Sequence, residues 1–240
     1  MQSFKSRGAV LCPVSYDNHA SLVNALQGVE VLLSAVAINA ILAQLPLVKA
    51  AKEANVSVFF PSEYGGRCEN NDSRLQMFRD KQKVIDAAKD AGLPIAGLAT
   101  GPWPEYAISP PMGFDFANKK VTIWGNPDTK ITFTTLSSIA QWVAHVLKDV
   151  PVTELQNKYL NIQGDLVSRN DIIRLWERKH KAKLEVEFRP VKELEERIEA
   201  DPTDYLASVL AGWDTGEYHL QPIHNDLYPD WKPDSVESLL

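Results

Sequence analysis

The chain has 240 residues, 45% of them hydrophobic, and a formal net charge of −6. That length fits one α/β domain, or a domain with a smaller appendage, of ordinary globular composition. With 25 Lys and Arg against 31 Asp and Glu and no basic block, nucleic acid is excluded as a main partner, because phosphate binding needs clustered cations.

Cys12 and Cys68 are the only cysteines. They match no metal spacing and read as free thiols in a reducing compartment. His19, His145, His180, His219 and His224 are scattered without ligand spacing, so no metal is expected. The start, MQSFKSRGAVLC, lacks the apolar segment of a signal peptide, and a cytoplasmic location is expected. Residues 31–48 carry no charge over a stretch near the lower limit for a membrane span. Ser34, Asn39, Gln44 and Pro46 interrupt it, and it reads as strand, loop and helix start rather than a span.

Residues 8–16, GAVLCPVSY, read as a first strand. Asp17, Asn18 and Ser21 are N-cap candidates for a helix ending at Gly28. A strand over 29–37 follows, then a helix over 40–54 with Ile41, Leu42, Leu45, Val48 and Ala51 on one face. VSVFF (56–60) is a buried parallel strand by composition, ending at Pro61. The next helix starts near Ser73, where Ser73 and Gln76 have capping-box spacing, and stops at Gly92 with Pro94 beyond. LPIAGLAT is the next strand, ending at Gly101-Pro102. Short apolar strands alternating with amphipathic helices predict an α/β fold with a doubly wound parallel sheet.

After Tyr106 a Pro- and Gly-bearing loop leads to two strands, VTIWG and KITFTT, around the turn-forming Asn126-Pro127-Asp128. A helix over 135–147 points Ile139, Trp142, Val143 and Val146 inward. KYLNIQG is a strand, Ser168 caps a helix through Asp171, KLEVEF is a half-exposed strand, and VKELEERIEA is a charged surface helix.

Lys81 breaks the pattern. The apolar arc of its helix holds Leu75, Met77, Phe78, Val84, Ile85, Ala88 and Ala91, and Lys81 falls near the middle. An ammonium there must snorkel, pair or lose its proton, and one whose pKa falls on burial can serve as an acid or base. The bland alternative is a stem that covers apolar surface while its tip reaches water. Ligands of open α/β sheets bind beyond the carboxyl ends of the strands, where PSEYGG and GPWPEY lie. Glu63 is an acid candidate or, more plainly, a loop carboxylate bonded to backbone N–H groups. Tyr64 and Tyr106 flank a substrate ring or merely wall a pocket. No Tyr-x-x-x-Lys pair is present.

PSEYG, the Phe78-x-x-Lys81 spacing, AAKDAGLPIAGL and GPWPEY together resemble the NmrA-like, isoflavone-reductase-like family of atypical short-chain dehydrogenase relatives. The resemblance is specific around 61–65 and Lys81 and loose after about residue 165. It implies a Rossmann-type core over 1–108, and over 109–240 a smaller α+β cover that contacts substrate, the two interleaved. It implies NADP(H) as cofactor, with contacts from Ser34, Ala35, Val36, Pro61, Ser62, Lys81, Gly101, Pro102 and Trp103. Lys81 would relay a proton, and Tyr64 and Tyr106 would touch a small aromatic or polyketide-like substrate, with fungal secondary metabolism as the setting. A monomer or homodimer is expected.

The chain departs from the family in several places. No G-x-G-x-x-G turn joins a strand to a helix. Set against the family, the chain starts after the second strand, so a first βαβ unit of about 30 residues is expected to be absent and cofactor binding weakened or lost. Ile85 and Val58 replace arginines common in the plant reductases, suggesting a more apolar substrate or a lost contact. Ser137-Ser138 replace an aspartate. Three readings stay open: a reductase, a non-catalytic dinucleotide sensor or partner-binding regulator, and a truncated inactive form.

Overall fold

The computed structural model describes residues 2–67 and 76–240. The elements are α1 (Gln2–Ser6), α2 (His19–Leu26), β1 (Val31–Leu33), α3 (Gln44–Glu53), β2 (Val58–Phe60), α4 (Gln76–Asp90), β3 (Ala96–Ala99), α5 (Pro104–Ala107), β4 (Phe114–Asp115), β5 (Lys120–Trp124), β6 (Ile131–Phe133), α6 (Leu136–Asp149), α7 (Val152–Leu155), β7 (Lys158–Asn161), β8 (Asp165–Val167), α8 (Arg169–His180), β9 (Glu185–Arg189), α9 (Lys192–Ala200), α10 (Tyr205–Thr215) and α11 (Val236–Leu239).

Four short apolar strands make the parallel sheet. β1 pairs with β2, Val31 opposite Val58, and β3 pairs with β7, Ala96 opposite Lys158. A parallel bridge between Phe59 and Ile95, and a 2.8 Å bond from Phe59 N–H to the Pro94 carbonyl, join the pairs in the order β1-β2-β3-β7. The two-residue period of a strand sends successive side chains to opposite faces. Phe59 and Ile95 pack with α2, α3 and α4, while Val58, Phe60, Ala96 and Leu98 pack with Trp142 and Val146 of α6. Both faces are thus covered, as a parallel sheet requires. A third cluster, with Ile123, Phe133, Ile172 and Trp213, fills the C-terminal region.

The caps fall where the side chains allow. Asn18 accepts from Ser21 N at 3.0 Å. Gly92 takes φ +63° after α4, and Leu93 N–H closes onto the Ala88 carbonyl at 2.9 Å. Ser168 and Asp171 form a reciprocal capping box. The expected start near Ser73, together with Leu75 and Cys68, lies outside the described residues.

Residues 8–16 are not a strand. Val10 is 86% exposed, and Leu11 and Val14 are also exposed. Among the described residues no strand lies beside them, and β-prone sequence without a ladder stays irregular. The helix expected over 40–54 opens as a 3-10 helix over Ile38–Ala43. Its tighter winding rotates Leu42 off the expected inner face, leaving it 40% exposed. β5 and β6 flank the predicted turn but join different partners: β5 lies between β4 and β9, while β6 pairs with β8. β9 is an exposed edge strand. The sequence reading missed α10, whose buried residues run through Ala207, Ser208, Val209 and Leu210. Four consecutive buried positions point to all sides of the helix and leave no narrow stripe to detect.

Phe59 is fully buried at the crossing of the two strand pairs. Phe59→Ala is expected to cost about 3–5 kcal/mol, measured as a lower urea midpoint at unchanged slope.

Candidate functional site

The carboxyl ends of β1, β2 and β3 bring three loops together. The Ser34 N–H extends the β1–β2 ladder to the Phe60 carbonyl at 2.9 Å. The loop after β2 begins Pro61-Ser62-Glu63-Tyr64. Ser62 N–H donates to Gln44 Oε1 at 2.8 Å, and Ser62 Oγ donates to the Val36 carbonyl at 3.0 Å. The Tyr64 hydroxyl crosses to the Ser34 carbonyl at 3.1 Å. Tyr64 takes φ +28°, a backbone strain that its neighbours hold in place.

Lys81 closes the arrangement from below. It is 7% exposed. Its ammonium donates to the Glu63 carbonyl and, at 3.5 Å, to that of Tyr64. The snorkelling alternative is therefore wrong: the charge turns inward because the β2 loop presents carbonyls to it. Backbone dipoles thus help to satisfy the buried cation.

The third loop is tied to the second. Thr100 and Gly101 both donate their N–H to the Gly65 carbonyl, at 3.1 and 3.0 Å. Gly65 N–H and Trp103 Nε1 donate to Thr100 Oγ1 at 3.2 and 3.1 Å. Gly101 sits at φ +66°, and a Cβ there would lie 1.9 Å from the Thr132 carbonyl oxygen. Only glycine fits. Trp103 stands 6.1 Å from the Tyr106 ring, and Tyr106 is 64% exposed at the rim.

The structure thus gathers Ser34, Ala35, Val36, Pro61, Ser62, Tyr64, Lys81, Gly101, Pro102 and Trp103 at one end of the sheet, with Tyr106 at its edge. Several of their groups are already committed: Ser62 and Tyr64 brace the loops. The Tyr64 hydroxyl is pushed up to about 12 by burial and by the Glu63 charge, so it is a neutral phenol near pH 7. Ser34 Oγ is buried and has no hydrogen-bond partner among the described residues. Val58 and Ile85 are fully buried in the core, so their apolar character reflects packing and not a substrate contact.

Three residues of the site were not legible from the sequence. Gln44 is 1% exposed and bonds the β2 loop; its only signal was a polar residue within an uncharged run. Thr100 knots two loops together. Gly97 lets Glu63 fold inward, since a Cβ there would lie 2.5 Å from Glu63 Oε2 and 2.6 Å from Tyr159 Cδ1. A small cavity lined by Glu63, Arg67, Gly97, Tyr159 and Asn161 lies nearby; of the candidates named from the sequence only Glu63 lines it.

The fit to a dinucleotide is partial. Ser34 Oγ offers a buried hydroxyl to satisfy, and the Lys81 ammonium has three hydrogens for two carbonyls. The glycine-rich turn that cradles a pyrophosphate is absent from the 240 residues.

A model of the NmrA-like family matches residues 1–220. Phenylcoumaran benzylic ether reductase PT1 of Pinus taeda is 28% identical over 262 residues, covering all of this chain and 83% of the relative. A crystal structure from a study of pinoresinol-lariciresinol and phenylcoumaran benzylic ether reductases is 26% identical, with a TM-score of 0.86 over 99% of this chain and 83% of that one. The complex of leucoanthocyanidin reductase with NADPH from Vitis vinifera gives a TM-score of 0.84 over 99% of this chain and 83% of that one, at 19% identity, a likeness of fold alone.

Lys81→Met keeps the stem and removes the donors. It is expected to lower stability by about 1–3 kcal/mol for the carbonyls left unpaired, with faster amide exchange in the β2 loop; unchanged stability and exchange would contradict the clamp. The raised Tyr64 pKa favours the neutral phenol in the fold. Its stabilising contribution is complete below pH 10 and is lost as the pH rises from 10 to about 12. In an absorbance titration Tyr64→Phe is expected to remove the ionisation near pH 12.

Proposed function

The chain belongs to the NmrA-like family, and from that membership we propose that it is an NADPH-dependent reductase of the isoflavone-reductase type. The observation that carries the reading is the Lys81 ammonium, buried where the loops after β1, β2 and β3 converge. The reductase names of its relatives and the NADPH complex of similar fold support it. Residues 1–108 act as the dinucleotide-binding core and 109–240 as the substrate cover.

In this reading Ser34, Ala35, Val36, Pro61, Ser62 and the Gly101-Pro102-Trp103 loop border the cofactor, and bound NADPH supplies a hydride. Lys81 would keep its bonds to the loop carbonyls and direct its remaining hydrogen either to the cofactor ribose, which it would then hold, or to a substrate oxygen, where it would deliver the proton that balances the hydride. Trp103 and Tyr106 give the rim aromatic surface suited to a small aromatic or polyketide-like metabolite, as in fungal secondary metabolism. Tyr64, braced against Ser34, walls the site.

One observation favours a second reading, a dinucleotide-binding regulator without turnover. The Ser62 and Tyr64 hydroxyls and two of the three Lys81 hydrogens are already engaged by the protein's own backbone.

A titration with NADPH, following cofactor fluorescence and thermal unfolding together, tests both. A micromolar Kd with a raised Tm is expected. Turnover of quinone or aryl-ether substrates that falls about 100-fold in Lys81→Ala at similar Kd identifies the reductase. Binding without turnover favours the regulator, and no binding contradicts both.

A further inference from the structure

We propose that Gln44 is the positioning residue of this site: its carboxamide sets the spacing between the loops that follow β1 and β2. The proposal rests on the reading of these loops as a dinucleotide site. Gln44 is the first residue of α3 and is 1% exposed. Its Oε1 accepts from Ser62 N–H at 2.8 Å, and its Nε2 donates to the Ile41 carbonyl at 3.0 Å. These two bonds fix the orientation of the amide.

Ile41 lies in the 3-10 helix that carries the chain from β1 into α3. One side chain therefore ties the β2 loop to the segment leaving β1. Ser62 completes the loop of contacts through its Oγ, which donates to the Val36 carbonyl at 3.0 Å. The ring runs from β1 through Val36 and Ile41 to Gln44, and from Gln44 through Ser62 back to Val36. A glutamine is needed because the gap calls for one donor and one acceptor at a fixed separation, without a charge to bury. Leucine or methionine would fill the volume but orphan Ser62 N–H and untie the β2 loop from the 3-10 helix, whose Ile41 carbonyl would keep only the Gln44 backbone N–H. The orphaned Ser62 N–H falls within the β2 loop assigned to the cofactor, and Ser62 also holds Val36, so relaxation there changes the shape of the site and not only the stability of the fold.

The test compares the wild type with Gln44→Met and with Val146→Ala, a cavity variant on the opposite face of the sheet that controls for lost stability. Two readouts are taken well below each Tm: amide exchange of residues 34–37 and 61–66, and the Kd for NADPH. Gln44→Met is expected to speed exchange selectively in both loops and to weaken NADPH by about tenfold, the equivalent of one well-placed hydrogen bond. Val146→Ala is expected to leave both unchanged. If exchange in the two loops of Gln44→Met matches that of Val146→Ala, or if Gln44→Met no longer melts cooperatively, Gln44 is a packing residue and the proposal fails. Wild-type chain that binds no NADPH refutes the reading of the site instead, and loop exchange alone then decides the role of Gln44.

Discussion

A buried ammonium must find acceptors, and in this protein that requirement joins a helix to a loop. Lys81 sits on the inward face of α4 between Phe78 and Val84, both buried. Its charge is met by the carbonyls of Glu63 and Tyr64. Those carbonyls point toward it because the chain turns sharply after Phe60, through a proline and a strained tyrosine, before reaching Gly65. The geometry of the β2 loop and the burial of Lys81 are thus one arrangement.

From that clamp the bracing spreads outward. Ser62 and Tyr64 reach the end of β1, and Gly65 binds the start of the loop after β3. Thr134 Oγ1 holds the Thr100 carbonyl at 2.7 Å from the next layer. At Gly97 and Gly101 a side chain or the backbone passes too close for a Cβ. The result is a rigid platform at the carboxyl end of a parallel sheet, the end at which open α/β folds bind ligands. Its edge is aromatic, with Trp103 half-buried and Tyr106 exposed. No helix among the described residues is long and apolar enough to cross a membrane, and no group of metal-binding side chains occurs among them.

Much of this was legible in the sequence. The strands at VSVFF and LPIAGLAT, the αL glycine at Gly92, the Ser168 cap and the anomalous Lys81 follow from local chemistry, because each depends on near neighbours in the chain. What was not legible depends on distant partners. Whether residues 8–16 form a strand depends on a neighbouring strand. Leu42 turned outward with the 3-10 winding of Ile38–Ala43, a segment that runs into Gln44, whose partner Ser62 lies 18 positions along the chain. The inward turn of Lys81 could be read as a conflict but not resolved, since its acceptors are backbone atoms that carry no side-chain signature. The proposed reductase chemistry rests on the names of relatives and on the buried Lys81 together, and neither alone spells it out in the sequence.

The measurement that bears most directly on the platform as a dinucleotide site is amide hydrogen exchange of the wild-type chain with and without saturating NADPH. Protection confined to residues 34–37, 61–66 and 100–103, with the C-terminal region beyond Asp165 little changed, is the predicted result. Protection that falls elsewhere, or none at any concentration of cofactor, would contradict the assignment and leave the braced loops as a structural feature alone.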